Sequence, residues 1–310
     1  MLIVTLPPVH QEKLLTEIIS HPLVNMVRYN TGIDSPYSPR ETIQRILKES
    51  RKYKKPLYID LKGRQLRIRE WATLPYGPII LNHRIKATLP AKVYFRGDDC
   101  CELKAIVNGR KIYVDPLPKY SVGRGQAVNI LTDKLEIDGC LTDNDNRYIE
   151  AAVKEGVTRF MLSFVEDFNY IRILENKLQD CLAGKSAPKS KIVLKIESSE
   201  GVEFVRKSTS RQLRKYRLMA ARDDLMIQIG GLKMPEALQT IIRKDPQAIC
   251  ASRLMLGFEQ VGAVTMADIS DLLLMQRLFG YRHFMTSDGL SRKHFGQVMD
   301  FWKEYIAVYP

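Results

Sequence analysis

Short apolar, β-branched runs alternate with longer amphipathic stretches along most of the chain. LIVTL (2–6) predicts a strand, and HQEKLLTEIIS (10–20), with apolar residues at helical spacing, predicts a helix. NMVRYN (25–30) is a second strand pattern. Ser38-Pro39 then opens a helix through ETIQRILKESRKY, with serine as cap and proline in the first turn. PLYIDL (56–61) predicts a third strand. The alternation resumes near residue 142. DNRYIEAAVKEG predicts a helix ending at Gly156, RFMLSFV (159–165) a strand, and DFNYIRILENKLQDCLAG a helix closed by Gly184. After the KSAPKSK loop, IVLKIE (192–197) is a strand, followed by a helix through 213. YRLMAA (216–221), QAICAS (247–252) and RHFMTS (282–287) are strands. MPEALQTIIRK, MADISDLLLMQRLFG and residues 291–306 are helices.

Eight strands, each followed by a helix, predict a parallel sheet of the α/β class. Eight such units close into a (β/α)8 TIM barrel, and the competing architecture is an open doubly wound sheet. Residues 68–130 break the rhythm with short alternating runs such as KVYFRG and ELKAIVNGRKIYV, and no helical pattern. The expected organisation is therefore a discontinuous barrel domain, 1–67 and 131–310, carrying a small β-rich, lid-like insertion at 68–130 after the third strand.

Composition adds limits. With 310 residues, 45% hydrophobic and 27% charged, the chain can bury a large core. No apolar run reaches the roughly 20 residues that span a bilayer, and MLIVTLPP predicts a first strand rather than a signal peptide. The five cysteines form no C-x-x-C pair, which fits a reducing, cytoplasmic setting better than a disulfide framework or a zinc site. The net charge of +13 implies anionic partners. The basic runs KESRKYKK (48–55) and RKSTSRQLRKYR (206–217) lie on predicted helices without interleaved aromatics, so they predict solvated faces rather than a nucleic-acid platform. A homo-oligomer is compatible with all of this.

Chemistry in such a barrel sits at the C-terminal ends of the strands. Those ends carry Arg28 and Asn30, Asp60 and Lys62, Ser163, Lys195 and Glu197, Arg222 with Asp223 and Asp224, Ser252, and Ser287 with Asp288. Glu197 and Asp224 are two oxygen donors on neighbouring strands, as a Mg²⁺ site uses together with substrate oxygens. Lys195 shares a strand face with Glu197. A lysine beside a metal suits a transferring phosphoryl group, where catalysis is positioning and charge neutralisation. Arg28 could clamp the same group bidentately.

Several of these segments, in order, resemble motifs of the pyruvate kinase family. VRYNTG (27–32) resembles R-x-N-x-S-x-G. IDLKGRQLRI (59–68) is similar to D-x-K-G-x-x-x-R, matching at Asp60, Lys62, Gly63 and Arg67. KIESSEGV (195–202) is close to K-I-E-x-x-E-G, MAARDDL (219–225) to A-R-G-D-L, ICASRLM (249–255) to I-C-A-T-Q-M, and TMADISD (265–271) to T-R-A-E-x-S-D. LIVTLPP (2–8) and LTDND (141–145) with GVTRFMLSFV (156–165) are similar to its opening strand and to the helix and strand after its lid.

The resemblance implies residue roles. Glu197 and Asp224 would hold Mg²⁺ (or Mn²⁺). Lys195 would stabilise the phosphoryl group in flight or the enolate, and Arg28 would bind the phosphoryl group with Arg67, Lys62 and Ser163 nearby. Asn30 and Asp60 would belong to a K⁺ site, and Ser252 would supply the hydroxyl by the enolate. The turn at Asp223 corresponds to one that offers backbone N–H groups to the substrate carboxylate.

Four departures stand out: Asp223 and Met226 where the family has glycine, Gly32 where it has serine, and Gln65 where it has glutamate. The added acid at Asp223 is expected to repel an anion. Arg124, in SVGRGQ (121–126), is the nearest cation to the family's lid lysine. The resemblance stops short of the family's C-terminal domain, which is therefore expected to be absent. The implied activity is phosphoryl transfer between phosphoenolpyruvate, or a related enol phosphate, and ADP. The competing readings are an enolate-stabilising enzyme acting on another keto acid, and a non-catalytic binding protein.

Overall fold

A computed structural model of the chain describes residues 1–95, 99–183 and 190–310. Gly184 and loop residues 185–189 lie outside the described residues. Eight parallel strands close into a barrel: Leu2–Thr5, Met26–Asn30, Leu57–Leu61, Arg159–Leu162, Lys191–Ile196, Arg217–Ala221, Ile249–Ala251 and His283–Met285. The first pairs with both the second and the eighth, so there is no open edge and the doubly wound alternative falls away.

The period of two along each strand stacks the interior in layers. The lower layer is apolar and includes Ile3, Met26, Tyr58, Met161, Val193, Met219, Ile249 and Met285. Two residues further on, the same faces carry Thr5, Arg28, Asp60, Ser163, Lys195, Ala221 and Ala251. The floor of the barrel is thus oily, and the layer above it is charged. Outside, residues such as Leu2, Val4, Ile59, Leu162 and Leu194 pack on the helices.

The helices begin where local chemistry allows. Ser38 caps Pro39–Lys52 through the Glu41 N–H, and Thr142 with Asp145 forms a capping box on Asp143–Lys154. Asp167 caps Phe168–Leu182. Three differences from the sequence pattern stand out. The helix expected through 213 breaks into Ser199–Lys207 and Ser210–Leu213, because Thr209 starts a second capping box. The helix expected over 266–280 is α-helical only to Leu273 and continues as a π-helix over Leu274–Phe279. Two short helices, Arg222–Ile229 and Leu256–Val261, follow the sixth and seventh strands without an amphipathic pattern to announce them.

Between the third and fourth barrel strands lies a five-stranded antiparallel sheet of Ile79–Ile80, Lys111–Asp115, Asp99–Val107, Ala91–Phe95 and Val128–Leu131. A second pair joins Ile85–Ala87 to Leu135–Ile137. This excursion has its own core, with Ile79, Val93, Phe95, Leu103, Ile112 and Ile130 buried. No helix among the described residues is long and apolar enough to cross a membrane.

Candidate active site

Asp60 is the hub. Its side chain is fully buried at the end of the third strand, and three cations reach it. Arg28 donates from Nε (3.0 Å) and Nη2 to Oδ2, and Lys62 Nζ lies 3.1 Å from the same oxygen. Lys195 Nζ stands 3.5 Å from Oδ1. Burial alone would push the Asp60 carboxyl up. The charges of Arg28, Lys195 and Lys62 outweigh it and hold the group well below the usual carboxylate range.

Lys195 links this hub to the next carboxylate. Its Nζ is 3.0 Å from Glu197 Oε1 and donates to Ser163 Oγ at 2.7 Å, while Ser163 Oγ donates to the Leu61 carbonyl. Burial disfavours the Lys195 charge, but Asp60 and Glu197 overcome it, so the ammonium is retained. Glu197 Oε2 accepts the Phe164 N–H at 2.7 Å. Burial raises its pKa; Lys195 opposes the shift and the neighbouring Asp224 adds to it. Lys62 is pulled down by burial and by the cations Arg67, Arg28 and Lys195, against the pull of Asp60.

Asp224 approaches from the helix after the sixth strand. It accepts from Gln65 Nε2 (3.0 Å) and from Asn129 Nδ2 (2.9 Å). Gln65 also accepts two bonds from Arg67, at 2.9 and 2.7 Å, and Arg67 donates to the Gly125 carbonyl. A glutamate at 65 would set a like charge against Asp224, whereas the amide donates to it. Gly32 makes room for this arrangement: a Cβ there would lie 2.9 Å from Arg67 Nη1 and 3.1 Å from Lys62 Cε. Gly63 takes φ +51°, and a Cβ on it would meet the Ser163 carbonyl at 2.8 Å.

The rim thus gathers Arg28, Lys62, Arg67 and Lys195 around Asp60, Glu197 and Asp224, an excess of positive charge suited to an anion. Beside it, a cleft of about 480 Å³ between the barrel and the insertion is lined by Lys62, Arg67, Arg69, Arg124 and Arg147, with Asp34 as its carboxylate. Arg124 Nη2 lies 3.6 Å from Asp34.

The remaining expected residues stand apart from the hub. Asn30 Oδ1 accepts the Gly32 N–H at 3.0 Å. Ser252 sits past the seventh strand at φ +63°, and its hydroxyl makes no bond to the Lys195 network among the described residues. Arg222 is a structural clamp on Asp271, at 2.6 and 2.9 Å. Asp223 pairs with Arg253 at 2.9 Å, so the expected repulsion of an anion is offset by a cation beside it. Ser287 and Asp288 serve the cap and an i,i+4 pair at the helix start after strand eight.

Sequence reasoning missed Asn129 and Asp145. Asp145 is fully buried and accepts the N–H groups of Lys62 (2.8 Å) and Gly63 (3.1 Å) as well as the Thr142 N–H and hydroxyl. Its signal was the T-x-x-D spacing of the capping box. Asn129 carried no signal, because it acts across the gap between insertion and barrel.

Among the described residues no three His, Cys, Asp or Glu side chains cluster as metal ligands. Glu197 and Asp224 are a pair, the number that suits a Mg²⁺ completed by substrate oxygens. Burial, and to a lesser extent the charge of Asp224, raises the Glu197 pKa against the pull of Lys195, so a cation beside Glu197 would favour its ionised form.

The family described as pyruvate kinase, barrel domain, matches residues 97–274. The chain is 24% identical over 277 residues to the pyruvate kinase of Borreliella burgdorferi, covering 80% of this chain and 55% of that one. It is 25% identical over 284 residues to the pyruvate kinase of Haemophilus influenzae, covering 80% and 57%. The chain therefore spans just over half the length of these curated relatives. Its fold is that of the crystal structure of pyruvate kinase from Pyrobaculum aerophilum, with a TM-score of 0.66 at 15% identity, covering 93% of this chain and 68% of that one. The family match extends over more than half of the chain, and with it this barrel is placed: the chain belongs to the pyruvate kinase family.

Proposed function

We propose that the barrel carries out Mg²⁺-dependent phosphoryl transfer between phosphoenolpyruvate, or a related enol phosphate, and ADP. The observation that carries this reading is the single rim where Lys195, Ser163, Glu197, Asp60 and Arg28 form one bonded network with Asp224 beside it.

Each residue has a task its geometry supports. Lys195 keeps its charge against burial and presents it to a phosphoryl group or an enolate. Ser163 holds the lysine in place. Arg28 is orientated by Asp60 and Thr5, and Arg67 by Gln65, so both guanidinium groups are set before substrate arrives. Such preorganisation is the main protein contribution in phosphoryl transfer. Ser252, past the end of the seventh strand, would supply the hydroxyl that hands a proton to an enolate carbon. Glu197 and Asp224 would hold the Mg²⁺, which supplies charge neutralisation for enolate and phosphoryl oxygens.

Asn30 and Asp60 fit a K⁺ ion poorly. The Asn30 oxygen already accepts from Gly32, and Asp60 is neutralised by three protein cations. The residues proposed for that ion are better read as the scaffold of the anion site.

The test is a coupled assay for pyruvate and ATP from phosphoenolpyruvate, ADP and Mg²⁺. Lys195→Met and Glu197→Ala should each lower kcat by about 10²–10³-fold or more. Equal activity in all three proteins would refute the assignment. A second reading is favoured by the polar groups after strand eight, which are spent on local structure. Ser287 bonds to Glu259 at 2.5 Å and Asp288 pairs with Arg292. An enolate-stabilising enzyme that does not pass the phosphoryl group to a nucleotide would be silent in this assay. It would still bind oxalate in a Mg²⁺-dependent manner by calorimetry.

A further inference from the structure

Two of the departures from the family motifs are each other's partner. Asp223 stands where the motif has glycine and Arg253 where it has glutamine, and their side chains meet at 2.9 Å across the ends of the sixth and seventh strands. The contact is exposed, with the Asp223 side chain 60% and that of Arg253 31% accessible. An exposed pair of this kind contributes little to stability.

The backbone that presents Arg253 costs more than that. Ser252, Arg253 and Met255 all take the left-handed region, with φ of +63°, +54° and +54°. Each such non-glycine residue stores backbone strain that L side chains normally avoid. Burial of Leu254 and Met255 anchors the segment, while Arg253, next to Ser252 at the end of the seventh strand, is only partly covered. The ion pair is too weak to account for the strain by itself.

The guanidinium is also only partly used. Its Nε donates to Asp223 Oδ1, and its two terminal amino groups donate to nothing among the described residues. That is the fork that receives a carboxylate bidentately. Asp223 fixes the guanidinium through its bond to Nε, and Asp224, the next residue, bonds Gln65 and Asn129 at the rim.

We infer that Arg253, aimed by Asp223, is the residue that recognises the carboxylate of the substrate at this rim. The substrate class is a small dianion carrying a carboxylate beside a phosphoryl or enolate oxygen. The inference rests on the proposed reading of the rim as a phosphoryl site, and the following test separates the two.

Binding of 2-phosphoglycolate and of ethyl phosphate, which lacks the carboxylate, is measured by calorimetry in the presence of Mg²⁺. Wild type should prefer 2-phosphoglycolate. Arg253→Gln should weaken 2-phosphoglycolate about tenfold or more and leave ethyl phosphate unchanged, while Arg253→Lys, which keeps the charge without the fork, should fall between. Should Arg253→Gln fail to fold, Arg253→Lys carries the comparison. If wild type binds both anions and Arg253→Gln changes neither, or weakens both alike, the Arg253 assignment is overturned and the phosphoryl site stands. If wild type binds neither anion, both are overturned.

Discussion

Glu197 and Asp224 sit close enough for the charge of one to raise the pKa of the other, and burial adds to the shift at Glu197. The sign of the consequence follows. With its folded-state pKa above the unfolded value, Glu197 binds a proton more readily in the native protein. Its contribution is therefore favourable at low pH and is lost as pH rises through the raised value. Without metal, Glu197→Gln should flatten that part of the pH–stability curve, which thermal melts between the acidic and neutral range would record. Mg²⁺ should stabilise wild type, by about 2.7 kcal/mol when held near a hundred times its Kd. It should do much less for Glu197→Gln. An equal Mg²⁺ effect in both proteins would remove Glu197 from the proposed metal site. The neighbouring Asp60 behaves oppositely. Its carboxyl is held down by Arg28, Lys195 and Lys62, so its stabilisation is present above the unfolded pKa and disappears only in strong acid.

The elements hold these side chains in place through a few buried connections. Asp145, at the start of Asp143–Lys154, ties that helix to the Lys62–Gly63 turn by two backbone N–H groups. The same carboxylate completes the capping box with Thr142. Asp145→Ala removes only the reciprocal half of the capping box, since the Thr142 hydroxyl still accepts the N–H of residue 145, but it leaves the buried N–H groups of Lys62 and Gly63 unpaired at about 1–3 kcal/mol each. A loss of about 3 kcal/mol in urea denaturation is expected, with a shift of Lys62 away from Asp60. Retained stability would show that the turn is held by the Gly63 approach to Ser163 instead. The helices that defied the sequence pattern also have local causes. The break after Lys207 comes from a second cap, and the π-helical stretch over Leu274–Phe279 ends at Gly280, which takes a left-handed conformation.

At the scale of the molecule, the insertion and the barrel have separate cores and meet through polar contacts near the rim. Asn129, on the Val128–Leu131 strand, donates to Asp224 and accepts from Gln228 at 3.0 Å. Arg67 reaches the Gly125 carbonyl from the other side. Asn129→Ala should leave the barrel folded and raise hydrogen exchange in residues 128–131 about tenfold, since a bond to a charged group contributes about 1.5–3 kcal/mol. Unchanged exchange would mean that the remaining contacts, such as that of Arg67 with the Gly125 carbonyl, suffice to seat the insertion.

Much of this architecture was legible along the chain because it repeats. Period-two strands followed by period-3.6 helices specify eight βα units, and polar residues two positions beyond an apolar interior residue specify a charged layer. So Arg28, Asp60, Ser163 and Lys195 could be picked out as one set, with Glu197 two residues beyond Lys195, as could the buried floor beneath them. Local chemistry was equally readable where it acts over three or four residues, as at the caps of Ser38 and Thr142. The tertiary structure alone decided which charges meet. Asp223 was expected to repel an anion until Arg253, thirty residues away, proved to stand against it. Asn129 found Asp224 across the gap between the two units, Gln65 found it from beyond the third barrel strand, and Gly32 mattered through the space it leaves for Arg67. Periodicity and capping depend on neighbours in sequence, so one chain suffices to read them. The pairing of charges and the filling of space depend on distances between segments, which exist only once the barrel has closed.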